Sequence, residues 1–355
     1  MSTPKPVNRY LELDALRGIA VLLVGFFHFT RFRPEGAWGF KFGSTGVDLF
    51  FIISGFVIFM SLQKITKGVE FAINRVSRLY PTYWTAITFT FLTISAYALF
   101  KHKGIDKTDL INYVGNLTMF QFYLNIPNLD GAYWTMIIEM LFYIVMLILF
   151  SLNALRYVVI LGLCISGVTV IGYQLMYDIE LVKRCIEGIP LLKFLPLFTS
   201  GIIFYKIYTD NKHRLQRYLA LGFCLVCQIL LFNASRRFVF GINNLEYGIT
   251  LIFYYLVFTL LSNHKLSFII SRATLLMGKI SFAFYLIHES LSQDFLLPFF
   301  ADKLHINFWI AAIFITFPII TFIATAITYF IEIPLGKKMK SNLRTLFKVE
   351  SPSIA

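Results

Sequence analysis

Apolar residues in this chain gather into about ten blocks of roughly 17 to 25 residues, the length an α-helix needs to cross the hydrocarbon core of a bilayer. Short polar stretches separate the blocks. The pattern predicts helices over 13–31, 46–63, 82–100, 133–151, 155–173, 190–207, 217–233, 246–262, 280–298 and 308–332. The run 109–126 is aromatic and mildly amphipathic, and reads as an extra re-entrant or interfacial helix. The expected fold is an all-α integral membrane protein, with about ten transmembrane helices in one bundle. No internal repeat or low-complexity linker divides the chain, so residues 1–334 read as one transmembrane domain and 335–355 as a short basic tail.

Composition supports a membrane protein. The 355 residues are 57% hydrophobic and only 14% charged, against about 25% charged in soluble domains. The formal net charge of +13 would suit nucleic acid, but no compact basic domain exists to grip a duplex, and basic loops at one membrane surface explain it better. Ten spans place both termini on one side. With both termini cytoplasmic, 20 of the 32 Lys and Arg residues fall on the inner side, while the outer loops carry more acids, among them Glu35, Asp130 and Asp302. The expected location is therefore the cell (inner or plasma) membrane with both termini inside. The first apolar block lacks a cleavage pattern and is expected to remain as a membrane helix. Cys224 and Cys227 sit in an apolar helical run without His or acidic neighbours, so they read as buried apolar residues; no metal site is expected.

Several ionisable residues interrupt the apolar blocks, and at membrane depth such groups usually face a protein interior or a watery cavity and mark function. Arg17 and His28 lie eleven residues apart in the first helix, about three turns, so both share one face some 16 Å apart along the axis. Arg75 and Arg78, three apart before the third helix, share a face if helical; with Arg17 they could fork onto phosphate oxygens, or serve as headgroup anchors. Asp48, Glu139 and His288 lie within predicted helices, and Glu332 closes the last one. A neutral histidine can accept a hydroxyl proton, and a nearby carboxylate can orient it. Interhelical hydrogen bonding is the better account of Asp48 and Glu332 taken alone; for His28 a catalytic role is favoured.

The same residues resemble the membrane acyltransferase-3 family, whose members O-acylate sugars of cell-surface glycans. LDALRGIAVLLVGFFH carries the family's Arg-x10-His opening helix, here Arg17 and His28. GVDLFFIISGF (46–56) and RVSRLYPTYW (75–84) match its next two signatures, and WTMIIE (134–139) resembles Trp-Ser-Leu-x-x-Glu with Thr135 and Met136 substituted. ISFAFYLIH (280–288) and YFIEIP (329–334) resemble the closing signatures. The resemblance implies a cytoplasmic acyl-CoA donor, usually acetyl-CoA, as substrate, with no permanently bound cofactor. It also implies a glycan or lipid-linked sugar acceptor on the far side, and a donor-binding role for Arg17, Arg75 and Arg78.

His28 is the expected general base, oriented by Asp48 or Glu139, with His288 as the competing base; direct transfer and an acyl-histidine intermediate both remain open. Some relatives carry an extracytoplasmic hydrolase-like domain that completes transfer; this chain is expected either to act alone or to pass its acyl group to a separate extracytoplasmic partner. The competing class is a transporter or flippase of a lipid-linked sugar or anion, which intramembrane charge would suit equally well. A non-catalytic sensor would tolerate exchange of Arg17 and His28.

Overall fold

The structure is a computed structural model that describes residues 10–31, 33, 40–100, 102 and 104–349. Lys5, Arg9 and Glu35, counted above toward orientation, lie outside the described residues. Among the described residues every regular element is helical: α1 (Leu11–Thr30), α2 (Gly46–Leu62), α3 (Gly68–Phe100), α4 (Lys107–Leu117), α5 (Trp134–Ser151), α6 (Val158–Leu175), α7 (Glu180–Gly188), α8 (Leu195–Thr209), α9 (Arg214–Leu230), α10 (Asn244–Ser262), α11 (Arg272–Ser290) and α12 (Phe308–Leu346). Several begin at reciprocal caps that the sequence supplies: Asp106 with Asp109 opens α4, Asn243 with Glu246 opens α10 and Ser271 with Thr274 opens α11.

Seven helices are long and apolar enough to cross a membrane by length and composition. The expected count of about ten is not reached on that criterion. The blocks at 190–207 and 217–233 form helices of only 15 and 17 residues, α8 and α9, and α11 carries Arg272, Lys279 and Glu289. The run 109–126 is helical only as the 11-residue α4, too short to span. Its buried Asn116 then fixes the following loop, with its amide donating to the Pro127 carbonyl and its oxygen accepting from Leu129 N–H.

Two helices are longer than the apolar blocks suggest, for a shared reason. α3 runs back across Pro81 to Gly68, and α12 runs on through Glu332 and Pro334 to Leu346. Pro81 removes the N–H that would have bonded the Ser77 carbonyl. Gly336 packs closely at that carbonyl, where a Cβ at position 336 would approach it to 2.9 Å. Further along the same contact Arg344 donates to Glu70 at 2.7 Å. The polar half of α3 is thus covered by the basic end of α12, and the segment after Pro334 is a packed helix as far as Leu346.

The core of the bundle forms where α1 lies along α11 and α2 along α8. Gly18 and Gly278 let α1 and α11 approach backbone to backbone: a Cβ on Gly278 would sit 1.9 Å from the Asp14 carbonyl oxygen, and one on Gly18 2.2 Å from that of Thr274. Small residues at such a crossing replace the hydrophobic driving force that lipid cannot supply. Beyond Ser290, α11 widens into π-type turns over 291–296 and 298–303, a geometry that often accompanies functional sites.

Candidate active site

Two cavities flank the middle of the bundle, and α1 serves both. Arg17, near the start of α1, lines the first cavity, of about 790 Å³ empty volume, together with Arg75 and Arg78 of α3, Ser54 of α2, and Glu139 and Tyr143 of α5. Arg17 is held by Asp14 one turn earlier, at 3.4 Å. The Arg75 guanidinium lies over the rings of Phe71 and Tyr143, 5.5 and 5.9 Å from their centres. Glu139 accepts hydrogen bonds from Ser54 Oγ at 3.2 Å and from the Tyr143 hydroxyl. Of the residues that line this cavity three carry guanidinium groups and one a carboxylate, with Asp14 beside Arg17 outside the lining, so the surface it presents suits a polyanion such as a phosphate-bearing molecule.

His28 lies on the same face of α1 three turns on and lines the second cavity, of about 1500 Å³ empty volume, with Arg31, Trp134, Lys193, Arg236 and Glu289. Its Nδ1 is 3.3 Å from Glu289 Oε1, an ion-pair distance reached without hydrogen-bond alignment. Arg31 Nη1 reaches the same oxygen at 3.6 Å, its guanidinium stacked 4.9 Å from the Phe240 ring centre. Glu289 has room because residue 131 is glycine: a Cβ there would stand 2.3 Å from Oε1. From the first π-type turn, Gln293 Nε2 donates to the His28 carbonyl at 2.6 Å, satisfying an acceptor at the end of α1 and tying it to α11.

The sequence-predicted residues therefore divide between two places. Arg17, Arg75, Arg78 and Glu139 come together in the first cavity, and His28 stands in the second. Glu139 is on the arginine side, so the carboxylate beside His28 is Glu289. Asp48 is fully buried in the first turn of α2 and is not among the residues lining either cavity.

His288 is also fully buried. Its ring lies 5.0 Å from that of His28, edge to face. Its Nδ1 is 2.7 Å from the Tyr285 carbonyl, so that nitrogen carries the proton and donates, leaving Nε2 as a buried acceptor with no hydrogen-bond partner among the described residues. His288 stands behind His28, and its neighbour Glu289 faces the cavity, since successive helix residues point about 100° apart. Glu289 was the residue to find: a carboxylate inside an apolar block is itself a signal of function, and it sits beside the histidine in IHES.

The family model described as an acyltransferase domain, acyltransferase-3, matches residues 10–332. The chain belongs to this acyltransferase family. A protein of Acidianus two-tailed virus, "Putative acetyltransferase ORF330", is 25% identical over 290 residues, which is 78% of this chain and 82% of that protein. Two further relatives match over shorter stretches. The exopolysaccharide production protein ExoZ of Rhizobium meliloti is 44% identical over 48 residues, 13% of this chain and 15% of its own. "Putative membrane-bound transacylase BcsY" of Komagataeibacter xylinus is 38% identical over 78 residues, 21% of this chain and 18% of its own. No solved structure gives a significant match. Family membership and the apolar helices together make this acyltransferase a multi-pass membrane protein.

Proposed function

We propose that this acyltransferase moves an acyl group, acetyl in the first instance, from cytoplasmic acyl-CoA to a hydroxyl of a surface or lipid-linked polysaccharide. The observation that carries the reading is that one face of α1 presents Arg17 to a cation-rich cavity and His28 to a second cavity. The basic end of α12 packs against α3, the helix that carries Arg75 and Arg78, and the positive-inside rule would put this basic side, with the arginine cavity, toward the cytoplasm, where acyl-CoA is available. The relative named for exopolysaccharide production supports a polysaccharide acceptor, and the one named a transacylase supports acyl transfer.

In this reading the phosphates of the donor rest on Arg17, Arg75 and Arg78 and the thioester is directed toward His28. His28 takes the proton of the acceptor hydroxyl while Glu289 stabilises the resulting imidazolium. The oxygen attacks the thioester carbonyl, the carbon–sulfur bond breaks, and the departing thiolate takes up the proton. Holding both substrates in register supplies much of the rate advantage. A separate extracytoplasmic partner is not needed for this chemistry, though one could receive the acyl group.

The test is transfer of label from acetyl-CoA into polysaccharide by membranes carrying the wild-type protein or His28→Ala. Loss of transfer by about 10²-fold or more is expected, the usual worth of a general base. Undiminished transfer by His28→Ala would exclude this mechanism. Transport of a lipid-linked sugar with no change in glycan mass would instead favour the flippase alternative.

A further inference from the structure

The two cavities are separate, yet they share a wall. Val47 of α2 and Tyr285 of α11 each line both of them. Both are nearly buried, 6% and 8% exposed, and by lining both cavities they stand between the one that holds Arg17 and the one that holds His28. If the donor docks among the arginines and the acceptor meets His28, the acyl group must cross at these two side chains.

The wall is held in place from three sides. The Tyr285 hydroxyl donates to the Ala132 carbonyl at 3.2 Å and lies 3.0 Å from Thr135 Oγ1, which itself donates to the same carbonyl at 3.1 Å. The edge of its ring meets Phe50 with centres 5.9 Å apart. Its backbone carbonyl accepts from His288 Nδ1. Val47 immediately precedes the fully buried Asp48 in the first turn of α2, and a β-branched side chain on a helix has one strongly preferred rotamer. A partition built this way has little freedom to widen for a larger group.

We propose that Val47 and Tyr285 form a size filter, admitting a short acyl group to His28 and refusing longer ones. The inference rests on the proposed donor and acceptor sides of the bundle and adds what decides the acyl length. One methylene too many in a fitted apolar passage costs about 10- to 200-fold in specificity. Wild type should therefore prefer acetyl to butyryl by at least about tenfold.

The experiment compares labelled acetyl-CoA and butyryl-CoA as donors in membranes that contain the native acceptor, reading incorporation into polysaccharide. Val47→Ala removes two methyl groups from the wall and should raise the butyryl-to-acetyl ratio of kcat/KM by about tenfold. Tyr285→Phe keeps the ring but loses both hydroxyl contacts, and should raise the ratio in the same direction by less. Protein amount and monodispersity after extraction show that each variant has folded, and the ratio within one preparation is independent of that amount. His28-dependent incorporation by wild type, with the wild-type ratio kept by both variants, overturns the filter while leaving the proposed function standing. No incorporation from either donor by wild type overturns the proposed function, and the filter with it.

Discussion

Glu289 Oε1 lies 3.3 Å from His28 Nδ1 and 3.6 Å from Arg31 Nη1, so one carboxylate oxygen serves an imidazole and a guanidinium at once. Its charge is shared between the two. The pair joins α1 to α11 about three turns along from the backbone-to-backbone approach at Gly18 and Gly278.

Glu289→Gln keeps the shape of the side chain and removes the charge that would stabilise a protonated His28. Turnover should fall by about 10²-fold with the donor KM within about twofold of wild type, because the donor is held in the other cavity. Steady-state kinetics with acetyl-CoA check this, and full activity would remove Glu289 from the mechanism.

Gly131→Ala tests the same oxygen from behind. The added methyl would stand 2.3 Å from Glu289 Oε1, and a flexible carboxylate yields more readily than a helix does. The expected result is a folded protein with kcat lowered about tenfold or more, a loss that positioning alone can cause. Wild-type kcat would mean that the carboxylate re-seats without consequence.

Arg75→Gln and Arg78→Gln should act on the donor and spare the chemistry. A hydrogen bond to a charged group contributes about 1.5–3 kcal/mol, so each change should raise the KM for acyl-CoA about tenfold or more and leave kcat nearly untouched. The effect should shrink as salt rises for Arg78, which is the more exposed of the two. An unchanged KM in both would reduce these residues to membrane-surface anchors.

Gly278→Val should destabilise the fold itself. Its Cβ would fall 1.9 Å from the Asp14 backbone oxygen, and backbone cannot step aside as a side chain can. A loss of about 1–3 kcal/mol or more is expected, measurable as a lower Tm in detergent, whereas Gly104→Val, at a position with open space around it, should leave Tm in place.

The Arg344–Glu70 contact, 2.7 Å long with both side chains largely buried at 17% and 16% exposed, pins the end of α12 to the start of α3. Glu70→Arg and Arg344→Glu should each lower Tm, and the double reversal should recover part of the loss. A double-mutant cycle should return a coupling of about 1–3 kcal/mol; additivity would show the contact to be incidental.

Much of this molecule was legible in one dimension because the bilayer imposes one-dimensional rules. Apolar blocks of spanning length predict α1, α2, α5, α6 and α10 with ends within three residues of those observed. Where the chain was misread, polar residues were the cause. The apolar pattern starts the third helix at 82 and ends the last at 332, because neither the stretch from Gly68 to Leu79 nor the basic run after Pro334 is apolar. Each is helical, and they cover one another. α8 and α9 are helices of 15 and 17 residues that overlap their predicted blocks.

The site shows the same division. Arg17 and His28 sit eleven residues apart on one helix, and helical geometry alone puts them on one face, so that relationship followed from the chain. Glu139 and Glu289 are both carboxylates in apolar helices, and nothing local distinguishes which one stands beside an imidazole. That choice depends on how α5 and α11 are rotated against α1, and rotation is set by backbone contact at small residues and by hydrogen bonds between helices far apart in sequence. Hydrophobic length and helical period are local properties, readable from the order of residues. The partner of a charge, and the wall between two cavities, exist only once the helices have packed.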